Sequence, residues 1–439
     1  MSAAAWIARP SGQLRGRVAV PGDKSVSHRV MLLGAVASEP LEAAGFLRSA
    51  DCLATRRAVE LLGAEVEDLP DGRVRVTPPT ALRDPGTPLD FGNSGTGLRL
   101  MTGLLAGRRI EAELTGDASL CRRPMERVAA PLRLMGAVLE TTDGCPPVAI
   151  RRAAPLQPLE YDLPVASAQV KSALLLAGLS ACGRTLVRQP AITRDHTERM
   201  LAALGCPIEM GSWGAAVTGP CRPRGGSLVV PGDFSSAAFF IVAGLLAAGD
   251  DPLVVSGVGL NPTRTGLLEI LRLMGARVEV RNRREACGEE VADLSVWRSE
   301  LRGIEVPAEL VPLAIDEFPV LFVAAALAHG TTRVRGAEEL RVKESDRLGV
   351  MARALAATGI AVREHPDGLD VEGGVLRGGT VDSAGDHRVA MAFAVAASRA
   401  AGPIRILDVA NVATSYPGFA ADATRLGLGL EARDQQGAA

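Results

Sequence analysis

One tract recurs six times along the chain and limits the fold more than any other feature: a helical run that ends in glycine and passes straight into a strand-like stretch. The glycines are Gly63 in AVELLGAEVE, Gly136 in PLRLMGAVLE, Gly205 in MLAALGCPIE, Gly275 in ILRLMGARVE, Gly359 in ALAATGIAVR and Gly427 in DATRLGLGLE, separated by 73, 69, 70, 84 and 68 residues. Apolar residues ahead of each glycine recur at helical spacing, and glycine is the preferred residue just past a helix end, so each tract reads as amphipathic helix, cap and strand. A second tract, apolar almost all round behind a small polar start, is interleaved with the first and begins near Ser25, Ser94, Ser167, Ser235, Asp316 and Asp386. Helices without a polar face belong inside a domain and amphipathic ones on its surface. The predicted unit is therefore strand, buried helix, strand, outer helix and strands, with three units in each half.

A chain of 439 residues is long for a single core, which also points to two domains. The expected division gives residues 21–232 to units one to three and residues 1–20 plus 233–439 to units four to six, the second domain being discontinuous. Loops are expected at 78–88, 219–226 and in the charged insert 281–290, and the tail EARDQQGAA is expected to fray. Lys+Arg 48 against Asp+Glu 50 leave a net charge of −2, so no global field draws nucleic acid or an anionic membrane. The apolar runs are too short to cross a bilayer and the first residues lack a signal-peptide pattern, which predicts a soluble, cytoplasmic protein. The seven cysteines form no CxxC pair, and most read as buried small hydrophobes.

Chemistry is expected at the starts of the buried helices, where free N–H groups and the positive dipole end favour anions. The tract PGDKSVSHRVMLLGAVA at Pro21 has an echo at Pro231, PGDFSSAAFFIVAGLLA, that lacks Lys24, His28 and Arg29. Scaffold and charge are thus separable. Ser25 reads as the helix N-cap or a ligand contact, and His28 as a structural residue. Only three lysines occur, Lys24, Lys171 and Lys343, in a chain that otherwise uses arginine, and all three lie in these polar tracts. FGNSGTGLRL holds Gly95 in a turn that brings backbone amides close to an anion or is simply tight. Arg122 and Arg123 precede Pro124, which is expected to start an outer helix. VASAQVKSALLL sets Ser167, Gln169 and Lys171 at a helix start, and His196 and Glu198 in TRDHTERM read as surface ion-pair partners. Asp316 and Glu317 stand at the buried-helix start in IDEFP. RVKESDRL places Lys343 and Arg347 four apart, either as a helical salt-bridge ladder or as a site, with Glu344 beside them. Asp386, His387 and Arg388 open the sixth buried helix. Several cations, a few carboxylates, no metal-ligand cluster and no partnered cysteine favour one or two ligands rich in phosphate and carboxylate, with proton transfer by Asp316, Glu344 and Lys24 or Lys343.

Taken in order, PGDKSVSHR, GNSGTGLRL, the RPM of CRRPM, SAQVKSALL, IDEFP, RVKESDRL and DHRVAMAFA resemble the 5-enolpyruvylshikimate-3-phosphate synthase family over nearly the whole chain. The resemblance implies the enolpyruvyl transferase fold: a two-domain inside-out α/β barrel of six βαβαββ units, three per domain, with the active site in the cleft between the domains. It implies transfer of the carboxyvinyl group of phosphoenolpyruvate to the 5-hydroxyl of shikimate 3-phosphate, with release of phosphate, on the way to chorismate and the aromatic amino acids. Lys24, Ser25, Arg29, Ser167, Ala168, Gln169, Asp316 and Lys343 would then hold shikimate 3-phosphate. Lys24, Gly95, Arg123, Gln169, Arg347 and Arg388 would hold phosphoenolpyruvate. Asp316 would take the hydroxyl proton, Glu344 would serve the methylene carbon, and Lys24 would assist. No cofactor or metal is implied, and a monomer is expected, with glyphosate as an inhibitor.

Two features depart from the commoner family pattern. Where many members carry lysine in a K-T-F-P motif, this chain has Thr414 in ATSYPGF. Where some glyphosate-tolerant members carry alanine, it retains Gly95. Two alternatives are weighed against this reading: a UDP-N-acetylglucosamine 1-carboxyvinyltransferase on the same fold, with Cys121 as its acid, and a silent anion-binding module. DKSVSHR speaks against the first and the carboxylates against the second.

Overall fold

The computed structural model describes residues 5–433. Twelve α-helices run in chain order among them: α1 Lys24–Gly34, α2 Ala50–Leu61, α3 Gly95–Ala106, α4 Glu126–Leu134, α5 Ala168–Gly178, α6 His196–Ala203, α7 Phe234–Ala247, α8 Gly266–Leu273, α9 Phe318–Ala326, α10 Arg347–Ala357, α11 His387–Ala396 and α12 Phe419–Leu426. The odd-numbered helices are the buried ones; every residue of α7, α9 and α11 is buried. The even-numbered helices lie outside, with charged faces such as the Glu269–Arg272 pair on α8.

All six tract glycines have positive φ, from +77° to +105°. In each, the N–H of the following apolar residue reaches back to a carbonyl five residues earlier: Ala64 to Val59, Ala137 to Leu132, Cys206 to Leu201, Ala276 to Leu271, Ile360 to Leu355 and Leu428 to Ala423, all within 2.9–3.1 Å. This is the Schellman closure, which satisfies helix-end carbonyls and needs a left-handed residue.

Five of the six units form a four-stranded sheet, and the fifth forms a three-stranded one from Thr331–Arg333, Val362–His365 and Gly368–Glu372. Leu89–Asp90 pairs in parallel with Ala112–Thr115 across α3, and the hairpin Val138–Thr142/Cys145–Arg151 adds antiparallel strands in the order first, second, fourth, third. Glu160–Asp162, Gly183–Arg188, Ile208–Gly211 and Gly214–Gly219 repeat this arrangement. The first unit has no leading strand of its own. Gly226–Val229 supplies it, parallel to Leu41–Ala44, while Arg17–Ala19 lies parallel to Leu253–Gly259 in the fourth unit. In the sixth, Ala5–Arg9 sits between Ile404–Leu407 and Gly429–Arg433.

Contacts divide the chain into two compact groups: Gly22–Pro231 with Glu285–Glu289, and the residues up to Pro21 with Gly232–Arg284 and those from Glu290 onward. The chain therefore changes group at both Pro-Gly-Asp motifs. In the first group Asp23 N–H donates to Pro231 O at 2.7 Å, and in the second Asp233 N–H donates to Pro21 O at 2.9 Å. A Cβ on Gly22 would lie 1.9 Å from Gly45 O, which is why glycine stands there.

Several sequence expectations are corrected. The insert at 281–290 is not a loop but the end of a hairpin, Arg277–Ala286 and Glu289–Trp297. Asp23, not Ser25, caps α1, because its carboxylate, two residues earlier, accepts the Val26 N–H, and Asp233 caps α7 in the same way by accepting the Ser235 N–H. Glu317, one residue beyond Asp316, is the N-cap position of α9. Pro124 precedes α4 by two residues. Of the seven cysteines only Cys52, Cys206 and Cys287 are buried. The tail pairs with Ala5–Arg9 through Gly429–Arg433, and residues 434–439 lie outside the described residues. Among the described residues no helix is long and apolar enough to cross a membrane.

Candidate active site

In the first group, the N-terminal ends of α1, α3 and α5 carry the polar residues. Asp23, Ser94 and Ser167 cap them, each accepting a backbone N–H. Lys24 Nζ lies 3.0 Å from Asp51 Oδ2, at the start of α2. Arg29 is buried and donates through Nε to Thr197 Oγ1 (2.6 Å), through one terminal nitrogen to Ser25 O (2.8 Å) and through the other to Ser172 Oγ (2.9 Å). Burial brings its pKa down to about 10, although the charge of Glu198 opposes this. Gln169 accepts from Arg99 at 2.8 Å and donates to Thr96 at 3.0 Å. Ala168, the first residue of α5, is half-buried beside Ser167. Arg123 donates to Asn93 Oδ1 at 2.6 Å, and a Cβ on Gly95 would meet Arg99 at 3.0 Å and Arg123 at 3.3 Å. Arg99 is held at about 9 by burial and by repulsion from Arg127 and Arg123. Arg29, Arg99 and Arg123 thus meet only neutral oxygens in their hydrogen bonds, and this side of the group carries positive charge suited to an anion.

His28 is a strut. Its ring bridges Thr55 Oγ1 (2.8 Å) and Ser94 Oγ (3.3 Å), and burial followed by repulsion from Lys24 and Arg29 lowers its pKa to about 3. His196 and Glu198, expected at the surface, are buried. Glu198 Oε1 stands 2.8 Å from Lys171 Nζ, and His196 Nδ1 2.5 Å from Glu289 Oε1, because α6 turns these side chains inward against α5 and the hairpin tip. Lys171 is therefore a buried partner of Glu198 and Gln189.

The second group is built differently, with carboxylates among its cations. Asp316 Oδ1 lies 3.4 Å from Arg347 and 3.7 Å from Lys343. Arg347, almost fully buried, donates through Nε to Asp386 Oδ2 at 2.7 Å and through a terminal nitrogen to Glu344 Oε2 at 2.5 Å. Burial alone would lower its pKa, but the three carboxylates outweigh it and hold the guanidinium above its ordinary range. Arg388 donates to the Asp316 carbonyl at 3.1 Å and stands 3.9 Å from Glu317. Lys343 and Arg347 do not share a helical face: Lys343 follows a short 3-10 turn, Glu338–Val342, and Arg347 opens α10 behind the Asp346 cap. The turn folds Lys343 back onto Glu339 Oε1, at 2.5 Å, and towards Asp316. Thr414 ends a 3-10 turn and donates to Asn411 O at 2.7 Å.

A profile of the EPSP synthase (3-phosphoshikimate 1-carboxyvinyltransferase) family matches residues 8–422. The chain belongs to the EPSP synthase family. It is 54% identical over 435 residues to the 3-phosphoshikimate 1-carboxyvinyltransferase of Alkalilimnicola ehrlichii, covering 98% of this chain and 97% of that one. A solved EPSP synthase structure from Acinetobacter baumannii superposes with a TM-score of 0.89 at 46% identity, covering 98% of this chain and all of that one (100%). The enolpyruvyl transferase NikO from Streptomyces tendae, 21% identical, shares the fold with a TM-score of 0.80 over 99% of each chain.

Within each group, the motif residues of this EPSP synthase family member converge as described. Sequence reasoning placed Asp386 at a helix start but missed Arg99, Thr197 and Ser172 as structural partners of the site. Arg99 had a signal, being a charge inside an apolar helix tract. Thr197 and Ser172 had none beyond their neighbours Glu198 and Lys171.

Proposed function

We propose that the chain transfers the carboxyvinyl group of phosphoenolpyruvate to the 5-hydroxyl of shikimate 3-phosphate, giving 5-enolpyruvylshikimate 3-phosphate and inorganic phosphate. It is an enzyme of the transferase class, in aromatic amino acid biosynthesis. The observation that carries the reading of its chemistry is Asp316, whose carboxylate faces Lys343 and Arg347 at 3.7 and 3.4 Å while Glu344 is bound to the same Arg347.

In this reading Lys24, Ser25, Arg29, Ser167, Ala168, Gln169 and Lys343 bind shikimate 3-phosphate. Lys24, Gly95, Arg123, Gln169, Arg347 and Arg388 bind phosphoenolpyruvate. Asp316 accepts the 5-hydroxyl proton as the oxygen attacks C2 of phosphoenolpyruvate, and Glu344 gives a proton to the methylene carbon. A tetrahedral intermediate results. Return of a methyl proton to Glu344 and cleavage of the C2–O bond then release phosphate, which takes up the proton held by Asp316, and restore the vinyl group. Fixed cations, with Lys24 among them, stabilise the charge that develops on the leaving phosphate.

The protein works as a cytoplasmic monomer and, with Gly95 retained, is inhibited by glyphosate; a millimolar inhibition constant would contradict the last point. The test of the reaction is product analysis by mass spectrometry with shikimate 3-phosphate or UDP-N-acetylglucosamine as acceptor. The enolpyruvyl ether forms with the first only; formation with the second alone would overturn the assignment.

A further inference from the structure

At the opposite ends of α1, α3 and α5 from Lys24, Gly95 and Gln169, the first group has an open cavity of about 610 Å³. Val36, Leu82, Ile110 and Leu179 give it apolar walls. Arg108, Arg109 and Arg222 also line it, with no carboxylate among the lining residues. Helix ends explain Arg222, whose guanidinium donates to Ala37 O at 2.6 Å and Val36 O at 3.3 Å just past α1. Arg108, two residues past the end of α3, stands at such an end as well, but its side chain reaches no helix-end carbonyl. That side chain donates to Ser180 Oγ at 2.5 Å, and none of the described carboxylates forms an ion pair with it or with Arg222. Burial, and then the charge of Arg222, lower the Arg108 pKa to about 10. Two like charges facing one half-buried cavity repel, and an anion placed between them relieves both.

We infer that this cavity is a second ligand site, distinct from the substrate residues, for a small organic anion that carries a carboxylate or phosphate on an apolar body. The anionic group sits on Arg108 and Arg222, with Arg109 at the mouth, and the apolar body lies against Leu82, Ile110 and Leu179. The volume falls within the range of small-molecule sites, and apolar walls with a few convergent polar groups are their usual composition. Inorganic phosphate alone would leave those walls unused.

The probe is 4-bromophenyl phosphate. Crystals of the full chain soaked with it show a bromine anomalous peak against Leu82 and Leu179; no peak in this cavity overturns the inference. In solution, calorimetric titration gives the wild type one more equivalent bound than the Arg108→Gln/Arg222→Gln double variant, whose affinity at this site is weaker by about tenfold or more, as expected for lost charge-assisted bonds. Equal stoichiometry and affinity in the two proteins overturn it as well. The crystal readout uses wild-type protein, so it decides the matter even if the double variant does not fold.

Discussion

Charge at single residues divides the work of the site. The first group offers Arg29, Arg99 and Arg123 against neutral oxygens, whereas in the second Arg347 is shared among Asp316, Glu344 and Asp386. A guanidinium whose hydrogen bonds go to neutral oxygens can exchange them for an anion, and an ionised carboxylate beside a reacting hydroxyl can take its proton. Lys24→Ala is accordingly expected to weaken shikimate 3-phosphate binding and turnover together, each by about tenfold or more; unchanged affinity by calorimetry would remove Lys24 from that site. Cys121 hydrogen-bonds through Sγ to Gly116 O at 3.3 Å, and no part of the proposed chemistry uses it. Cys121→Ser should keep near-normal turnover, and a large loss would favour the UDP-N-acetylglucosamine alternative. His28 gives a pH prediction. Its pKa in the fold is about 3 against 6.5 unperturbed, so between those values the unfolded chain binds a proton that the native state refuses. Stability therefore falls as pH drops below 6.5, by about 1.4 kcal/mol per unit at the steepest. His28→Gln removes that contribution, and the difference in melting temperature between pH 7 and pH 4.5 should shrink; an unchanged difference would contradict it.

At the scale of elements, the repeated glycines were legible because each is forced by backbone geometry: a Schellman closure needs positive φ whatever surrounds it. The buried helices were legible from composition. What sequence could not give was the register of their starts, since Asp23, Ser25, Asp233 and Ser235 are all good caps and only the path of the preceding turn selects among them. Nor could it separate a helical ladder from the turn that presents Lys343, because both place the same charges close together. The inward turn of His196 and Glu198 depends on α5, far away in sequence. The two kinds of glycine should differ on mutation. Gly136→Ala meets no neighbour and bears only the left-handed backbone cost, about 1–2 kcal/mol. Gly103→Ala would put a Cβ 2.2 Å from the Ala173 carbonyl oxygen, where α3 packs on α5, and should cost more, about 2–4 kcal/mol, because backbone must move. Chemical denaturation ranks the two, and the reverse order would contradict the packing described.

For the molecule as a whole, the six units and the position of each motif within them were readable from the chain alone, and the EPSP synthase family relationship agrees with that reading. The assignment of residues 1–20 to the second half was part of that reading, but the strands that Arg17–Ala19 and Gly226–Val229 pair with were not, because neither segment carries a local signal of its partner. Such pairing is decided by topology. The proposed reaction draws on both groups of residues, and removing the base from one should stop turnover while leaving the anion-binding residues of the other intact. The direct measurement is phosphate release from phosphoenolpyruvate with saturating shikimate 3-phosphate, for the wild type and for Asp316→Ala, beside shikimate 3-phosphate affinity for each. Steady release by the wild type, and a fall of about a hundredfold or more in the variant with affinity nearly kept, is the expected result. No release by a wild type that binds both ligands, or undiminished release by Asp316→Ala, would contradict it.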